Sequence, residues 1–269
     1  MDSKSPAFLV TIPHSGEQIP DQTPWLKSLP EEILMCDVDR FVDRLYESSL
    51  LEMKIPFVKT RWHRYAVDLN RVPTDVDACT VQGNKTAAGT HNRGFHWQIT
   101  TMNYPLMSQP VSENTHVELT QLIYQPFHDS IQKIYLEFKS NGAKKIFHLD
   151  AHSMPSVGTQ MHRDPGQRRA DIVVSDVLGK SASENYVDLV MSSYLRAGFK
   201  VAYNWPYLGG RVTEQYGNPS IGHEVLQVEL NRDLYMNEAT KKLRDLEAAT
   251  IAKKIRVSLE RILKNLPGI

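Results

Sequence analysis

Short β-rich runs alternate with longer helical patterns along most of the chain, and this ordering constrains the fold more than any other feature of the sequence. It predicts one α/β domain over residues 1–269, with a mixed, largely parallel sheet flanked by helices. Ala7–Ile12, Phe57–Thr60, Tyr65–Leu69, Lys144–Leu149, Asp171–Ser175, Lys200–Tyr203 and Glu224–Leu230 read as strands. Helical spacing of apolar residues predicts helices over Glu31–Met53, His116–Lys139, Tyr186–Ala197 and Glu238–Leu263. Pro126 should interrupt the second of these, and Gly198 supplies a left-handed cap for the third. The fourth carries an apolar stripe through Leu243, Leu246, Ile255, Leu259 and Ile262.

Residues 71–109 break the pattern. They are polar, rich in Gly, Asn and Thr, and hold Trp97 and several histidines without clear periodicity, as a long functional loop does.

The balance of charge narrows the function classes. Thirty-one basic residues cancel thirty-one acidic ones, so no overall basic field draws the chain to nucleic acid or anionic lipid. A small, locally recognised molecule is the expected partner. Cys36 and Cys79 are too few for a disulfide framework or a cysteine zinc site, which fits a reducing compartment. Near the N-terminus Lys4 precedes a largely apolar run of only six residues, Ala7–Ile12, before Pro13, too short for a signal core, and no run approaches the roughly 18 apolar residues of a membrane span. The expected location is the cytoplasm.

Ligand-capable residues cluster where strands are expected to end, the edge at which open α/β sheets build their sites. His14 follows the first strand and His152 follows the Lys144–Leu149 strand. Two such histidines and one carboxylate make the open three-ligand set that catalytic zinc prefers. Asp150, two residues before His152, is on the same side of an extended segment and suits a partner for the imidazole's other nitrogen, or else it starts a turn. Glu229 sits among apolar neighbours in LQVELNR, where a carboxylate is costly to bury unless it is functional or paired with Arg232 or Arg211. A general base with a raised pKa fits that setting. No G-x-S-x-G elbow, phosphate loop or dinucleotide fingerprint is present.

The ordered set PHSG (13–16), DVDRFVDRLY (37–46), RYAVDLNR (64–71), DAHSMPS (150–156), NWPYLGGRVTEQYG (204–217) and HEVLQVELNRDLYM (223–236) resembles the N-formylglutamate amidohydrolase family. That family is similar in fold and metal chemistry to zinc carboxypeptidases and aspartoacylases. The resemblance implies a zinc-exopeptidase-like (phosphorylase/hydrolase-like) fold and one Zn2+ per chain on His14, Asp39 and His152. Glu17 competes with Asp39, because His14 and Glu17 also satisfy the H-x-x-E spacing of the carboxypeptidase-like relatives. Asn70 and Arg71 would grip the substrate's α-carboxylate, Arg64 would polarise the scissile carbonyl, and Arg211, Thr213 and Tyr216 would line the side-chain pocket. At Arg211 the chain departs from the family pattern, which more often has an aromatic there.

The implied reaction is hydrolysis of the amide of a small N-acyl amino acid, with formate and glutamate as the archetypal products and Glu229 as base. Two other readings share these residues. One is a zinc carboxypeptidase or peptide amidase acting on a Glu-containing peptide, distinguished by how far the 71–109 loop opens. The other is a binding protein on the same scaffold without catalysis.

Overall fold

The computed structural model describes residues 6–269, so Lys4 lies outside the described residues. Six strands form one sheet: β1 (Phe8–Ile12), β2 (Phe57–Lys59), β3 (Ile146–Met154), β4 (Ile172–Ser175), β5 (Val201–Tyr203) and β6 (His223–Asn231). Their order is β2-β1-β3-β6-β4-β5. All neighbouring pairs are parallel except β4 with β6. The mixed, largely parallel sheet expected from the sequence is therefore present.

Side-chain alternation divides the sheet into two unlike faces. Val10 and Ile12 of β1, Leu149 and Ala151 of β3, and Val228 and Leu230 of β6 enter one apolar core. Helices α2 (Val42–Glu52), α5 (Glu184–Arg196) and α7 (Asp245–Asn265) cover that face, and their numbering follows α1 (Glu31–Leu34), α3 (Glu113–Leu119) and α4 (Gln125–Ser140). The intervening positions Thr11, His148, Asp150, His152, Gln227 and Glu229 are polar and buried. Over that second face lie α4, α6 (Arg211–Tyr216) and the long excursion, which contributes Val76, Val81, Phe95 and Trp97 to a second core. No helix among the described residues is long and apolar enough to cross a membrane.

Several boundaries differ from the sequence reading, each for a visible reason. The helix expected over Glu31–Met53 is broken between α1 and α2. There the Asp39 N–H donates to the His14 carbonyl at 3.0 Å, and Phe41 takes a left-handed φ of 70°. Tyr65–Leu69 is not a strand. Its backbone turns, with Ala66 N–H on His63 O at 3.0 Å and the Asp68 carboxylate accepting the Asn70 N–H at 2.9 Å. Strand β3 runs five residues beyond Leu149, because β6 pairs with it as far as Met154 against Asn231. His152 is thus within a strand and not after one.

The interruption near Pro126 is a π-helical turn over Thr120–Tyr124. The last helix starts at Asp245, since Met236–Asn237 (β7) and Lys242–Leu243 (β8) form a small antiparallel hairpin before it. Leu246 is 83% exposed and leaves the apolar stripe.

Burial also sets a pH dependence. Loss of hydration lowers His63, His96, His128 and His148 to about 4 each, so the fold holds these rings neutral. In the unfolded chain they titrate near 6.5. The folded pKa is the lower one, so the stability they contribute is complete above about pH 6.5 and is lost as the pH falls towards 4. At pH 5 the cost is up to about 2 kcal/mol per ring. The urea midpoint should drop clearly between pH 7 and pH 5, and an unchanged midpoint would contradict this assignment.

Candidate metal centre

Two loops and one strand bring the ligand set together. His14 stands just past the end of β1, on a loop whose Gly16 lies so close to the 61–62 backbone that an added Cβ would come within 2.5 Å of Arg61 C. Asp39 comes from the break between α1 and α2, stitched to His14 by the backbone bond described above. His152 projects from β3.

One ligand atom from each of His14, Asp39 and His152 lies within 4.8 Å of the others, and all three residues are buried. His152 Nδ1 is 3.0 Å from Asp39 Oδ2, and His14 Nδ1 is 3.6 Å from the same oxygen. His14 Nδ1 is buried without a hydrogen-bond partner. Such an orphan is rare in a folded protein unless something external satisfies it. The donor set fits zinc, which takes imidazole nitrogen and carboxylate oxygen.

Both rings are turned by carboxylates on their far side. His14 Nε2 is 2.7 Å from Asp68 Oδ1, and His152 Nε2 is 2.7 Å from Asp150 Oδ2. An Nε2–H donated to each carboxylate leaves the Nδ1 lone pair facing the centre, the arrangement that orients metal-binding histidines. Asp68 is itself fixed by Arg64 Nη2 at 2.8 Å and Trp97 Nε1 at 2.9 Å.

Asp150 is fixed by the Thr11 hydroxyl, which donates at 2.6 Å. That hydroxyl has spent its only proton, so the His148 nitrogen 2.8 Å away, Nε2, must donate to it. The other His148 nitrogen then accepts from the Tyr135 hydroxyl at 3.2 Å.

The opposite oxygen of Asp39 is occupied as well. Arg232 Nη2 donates to Oδ1 at 3.0 Å and the Ser153 hydroxyl at 3.3 Å, leaving Oδ2 for the centre. Burial alone would raise the Asp39 carboxyl, yet the facing His14 and His152 rings hold it well below the usual carboxylate range. Burial would likewise lower His152, but Asp150 foremost, with Asp39 and Glu229, raises it well above the ordinary imidazole value.

Glu229 pairs in register with His152 across β3 and β6 and lines the same cavity of roughly 220 Å³. Its side chain accepts from Gln227 Nε2 at 2.8 Å, and burial raises its pKa. It forms no ion pair with Arg232 or Arg211 among the described residues. Arg64, Asn70, Arg71, Trp97 and Arg232 line this cavity too.

Other expected site residues lie elsewhere. Glu17 is held by Arg40 at 2.8 Å, outside the histidine and aspartate cluster. Thr213 is fully buried, and its hydroxyl caps the turn at Gly210. The Tyr216 hydroxyl is 2.8 Å from His128 Nδ1, and the residue belongs to the second core. Neither lines the cavity, because α6 presents them to the sheet. Arg211 opens onto a neighbouring cavity and pairs with Glu214 at 3.1 Å.

Sequence reasoning offered Arg232 as a partner of Glu229, whereas it meets Asp39, and it missed Gln227 and the part Asp68 plays behind His14. The signal for Gln227 was its period-2 spacing from Glu229. For Arg232 and Asp68 no local signal exists, since their partners are far along the chain.

The sequence pattern of the N-formylglutamate amidohydrolase family matches residues 6–236. The chain belongs to that family. N-formylglutamate deformylases of Pseudomonas aeruginosa and Pseudomonas putida are 26% and 24% identical to it over 241 and 236 residues, each alignment covering 86% of this chain and 82% of the relative. The crystal structure of N-formylglutamate amidohydrolase from Ralstonia eutropha JMP134 superposes with a TM-score of 0.85 at 24% identity, covering 100% of this chain and 97% of the other. At that identity the superposition speaks for the shared fold.

Proposed function

We propose that this amidohydrolase-family chain acts as one zinc-dependent domain that hydrolyses N-formylglutamate to formate and glutamate. The observation that carries the reading is the convergence of His14 Nδ1, Asp39 and His152 in a buried cavity that Glu229 also lines. Held by those three side chains, zinc would supply Lewis acidity that polarises the amide carbonyl and favours loss of a proton from water near pH 7.

The protein's own groups do the rest. Glu229, with one oxygen on Gln227 and a pKa raised by burial, takes the proton of the attacking water and returns it to the leaving amine. Arg64 has its Nε buried without a partner while its Nη atoms hold Asp68 and the Asp37 carbonyl, which leaves a fixed donor for the developing oxyanion. Asn70 and Arg71 meet the α-carboxylate, Arg71 through a planar fork. Trp97 and Thr101 of the long excursion line the cavity, which favours a small acyl group over a peptide.

The test is formate release from N-formylglutamate by purified protein whose metal content is measured on the same sample. About one zinc per chain with turnover is expected. Metal-free protein that gains no activity from added zinc or cobalt would overturn the proposal. Arg71→Ala should raise KM by about ten- to a hundredfold, the worth of a charge-assisted contact, while zinc content holds. Loss of zinc in that variant would remove Arg71 from the substrate clamp.

A further inference from the structure

We propose that Arg71 and Arg93 form a two-guanidinium gate that selects substrates with two carboxylates, Arg93 taking the one at the end of the substrate's side chain. This deepens the amidohydrolase reading and rests on it. Four arginines line the reaction cavity. Arg64 is paired with Asp68 at 2.8 Å and Arg232 with Asp39 at 3.0 Å. Arg71 and Arg93 make no ion pair with any carboxylate among the described residues. Arg71 instead spends its Nε and Nη1 on the carbonyls of Arg93 and Asn70, at 3.1 and 2.7 Å. Arg93 Nη1 is buried without a partner.

Both residues also line a second, more open cavity of roughly 440 Å³, which shares Asn70, Gly209 and Gly210 with the first. They therefore stand at the passage between the two. Arg93 is held there by a tight turn. Gly94 N–H donates to His91 O at 2.9 Å, and a Cβ at Gly94 would come within 2.1 Å of the Asp75 carbonyl, so the chain has no slack at this point. Burial and the neighbouring Arg71 charge lower the Arg93 pKa, partly offset by the Asp37 carboxylate, which makes no ion pair with Arg93 among the described residues. A single carboxylate can pair with only one of the two guanidiniums, whereas a dicarboxylate offers one to each.

Binding of glutarate and of its monoamide to the zinc-loaded protein, measured by calorimetry, tests this without turnover. The two ligands differ by one charge. The wild-type protein should bind glutarate about tenfold or more tightly than the monoamide, as one charge-assisted contact provides. Arg93→Gln should abolish that preference, glutarate losing more affinity than the monoamide. Equal affinities in the wild type, or a preference that survives in Arg93→Gln, would overturn the proposal. Should Arg93→Gln fail to fold, Arg93→Lys carries the test: without the planar fork the preference should fall severalfold, and an unchanged preference overturns the idea. Formate release is not read here, so a negative result is separate from failure of the amidohydrolase reading, which only absence of hydrolysis would show.

Discussion

Glu229→Gln should keep its zinc and its affinity for N-formylglutamate while kcat falls by roughly two to four powers of ten, the usual worth of a positioned general base. The substitution preserves volume and removes only the proton acceptor. Its neighbourhood tolerates the change, because Gln227 already meets Glu229 through a side-chain amide, and an amide in its place can accept the same bond. Glu229 belongs neither to the His14, Asp39 and His152 cluster nor to the hydrogen bonds that orient it. Metal content and turnover should therefore separate. Full kcat in Glu229→Gln would assign the proton transfer to another group, and lost zinc would make Glu229 a ligand.

His152→Ala should behave oppositely, losing zinc and activity together. The ring is enclosed on both sides, with Nδ1 towards Asp39 at 3.0 Å and Nε2 on Asp150 at 2.7 Å. Its removal deletes one of the three proposed ligands and leaves the buried Asp150 without its imidazole donor. The several kcal/mol of transition-state stabilisation a metal supplies go with it, so turnover should fall by about three powers of ten or more. Removing zinc from the wild-type protein with a chelator should reproduce that loss, and added zinc should restore activity in the wild type alone. A His152→Ala protein that retained zinc at wild-type affinity would refute this ligand assignment.

The buried carboxylates explain why both experiments probe more than three residues. Asp68 accepts from His14, Arg64, Trp97 and the Asn70 N–H, so one side chain links a ligand, the proposed oxyanion donor and the substrate clamp. Burial disfavours its charge, but His14 and Arg64 outweigh that and hold the carboxyl well below the usual range. Variants at Arg64 should for this reason be read for metal content as well as for rate, since loss of Arg64 also removes a partner of the carboxylate behind His14.

The sequence by itself determined the mixed α/β class, the run of ordered motifs and the residue types of the candidate ligand set. Apolar alternation is a local signal with a period of two, and β3 and β6 carry it clearly enough that Asp150 and His152 share a face on sequence grounds alone. Helices α4 and α5 declare themselves through 3.6-residue spacing for the same reason. What the sequence could not decide were pairings between distant segments. Whether Asp39 or Glu17 joins the histidines depends on a backbone bond from Asp39 to His14 and on Arg40 drawing Glu17 aside, contacts that span 25 and 23 residues. Arg232 reaches Asp39 across 193 residues, and Thr11 reaches Asp150 across 139. Thr213 and Tyr216 look like pocket residues in a linear motif, but α6 turns them into the core, a matter of helix rotation against β6 that no local pattern records. Local periodicity fixes which face a residue occupies, and only the folded chain fixes what it meets there.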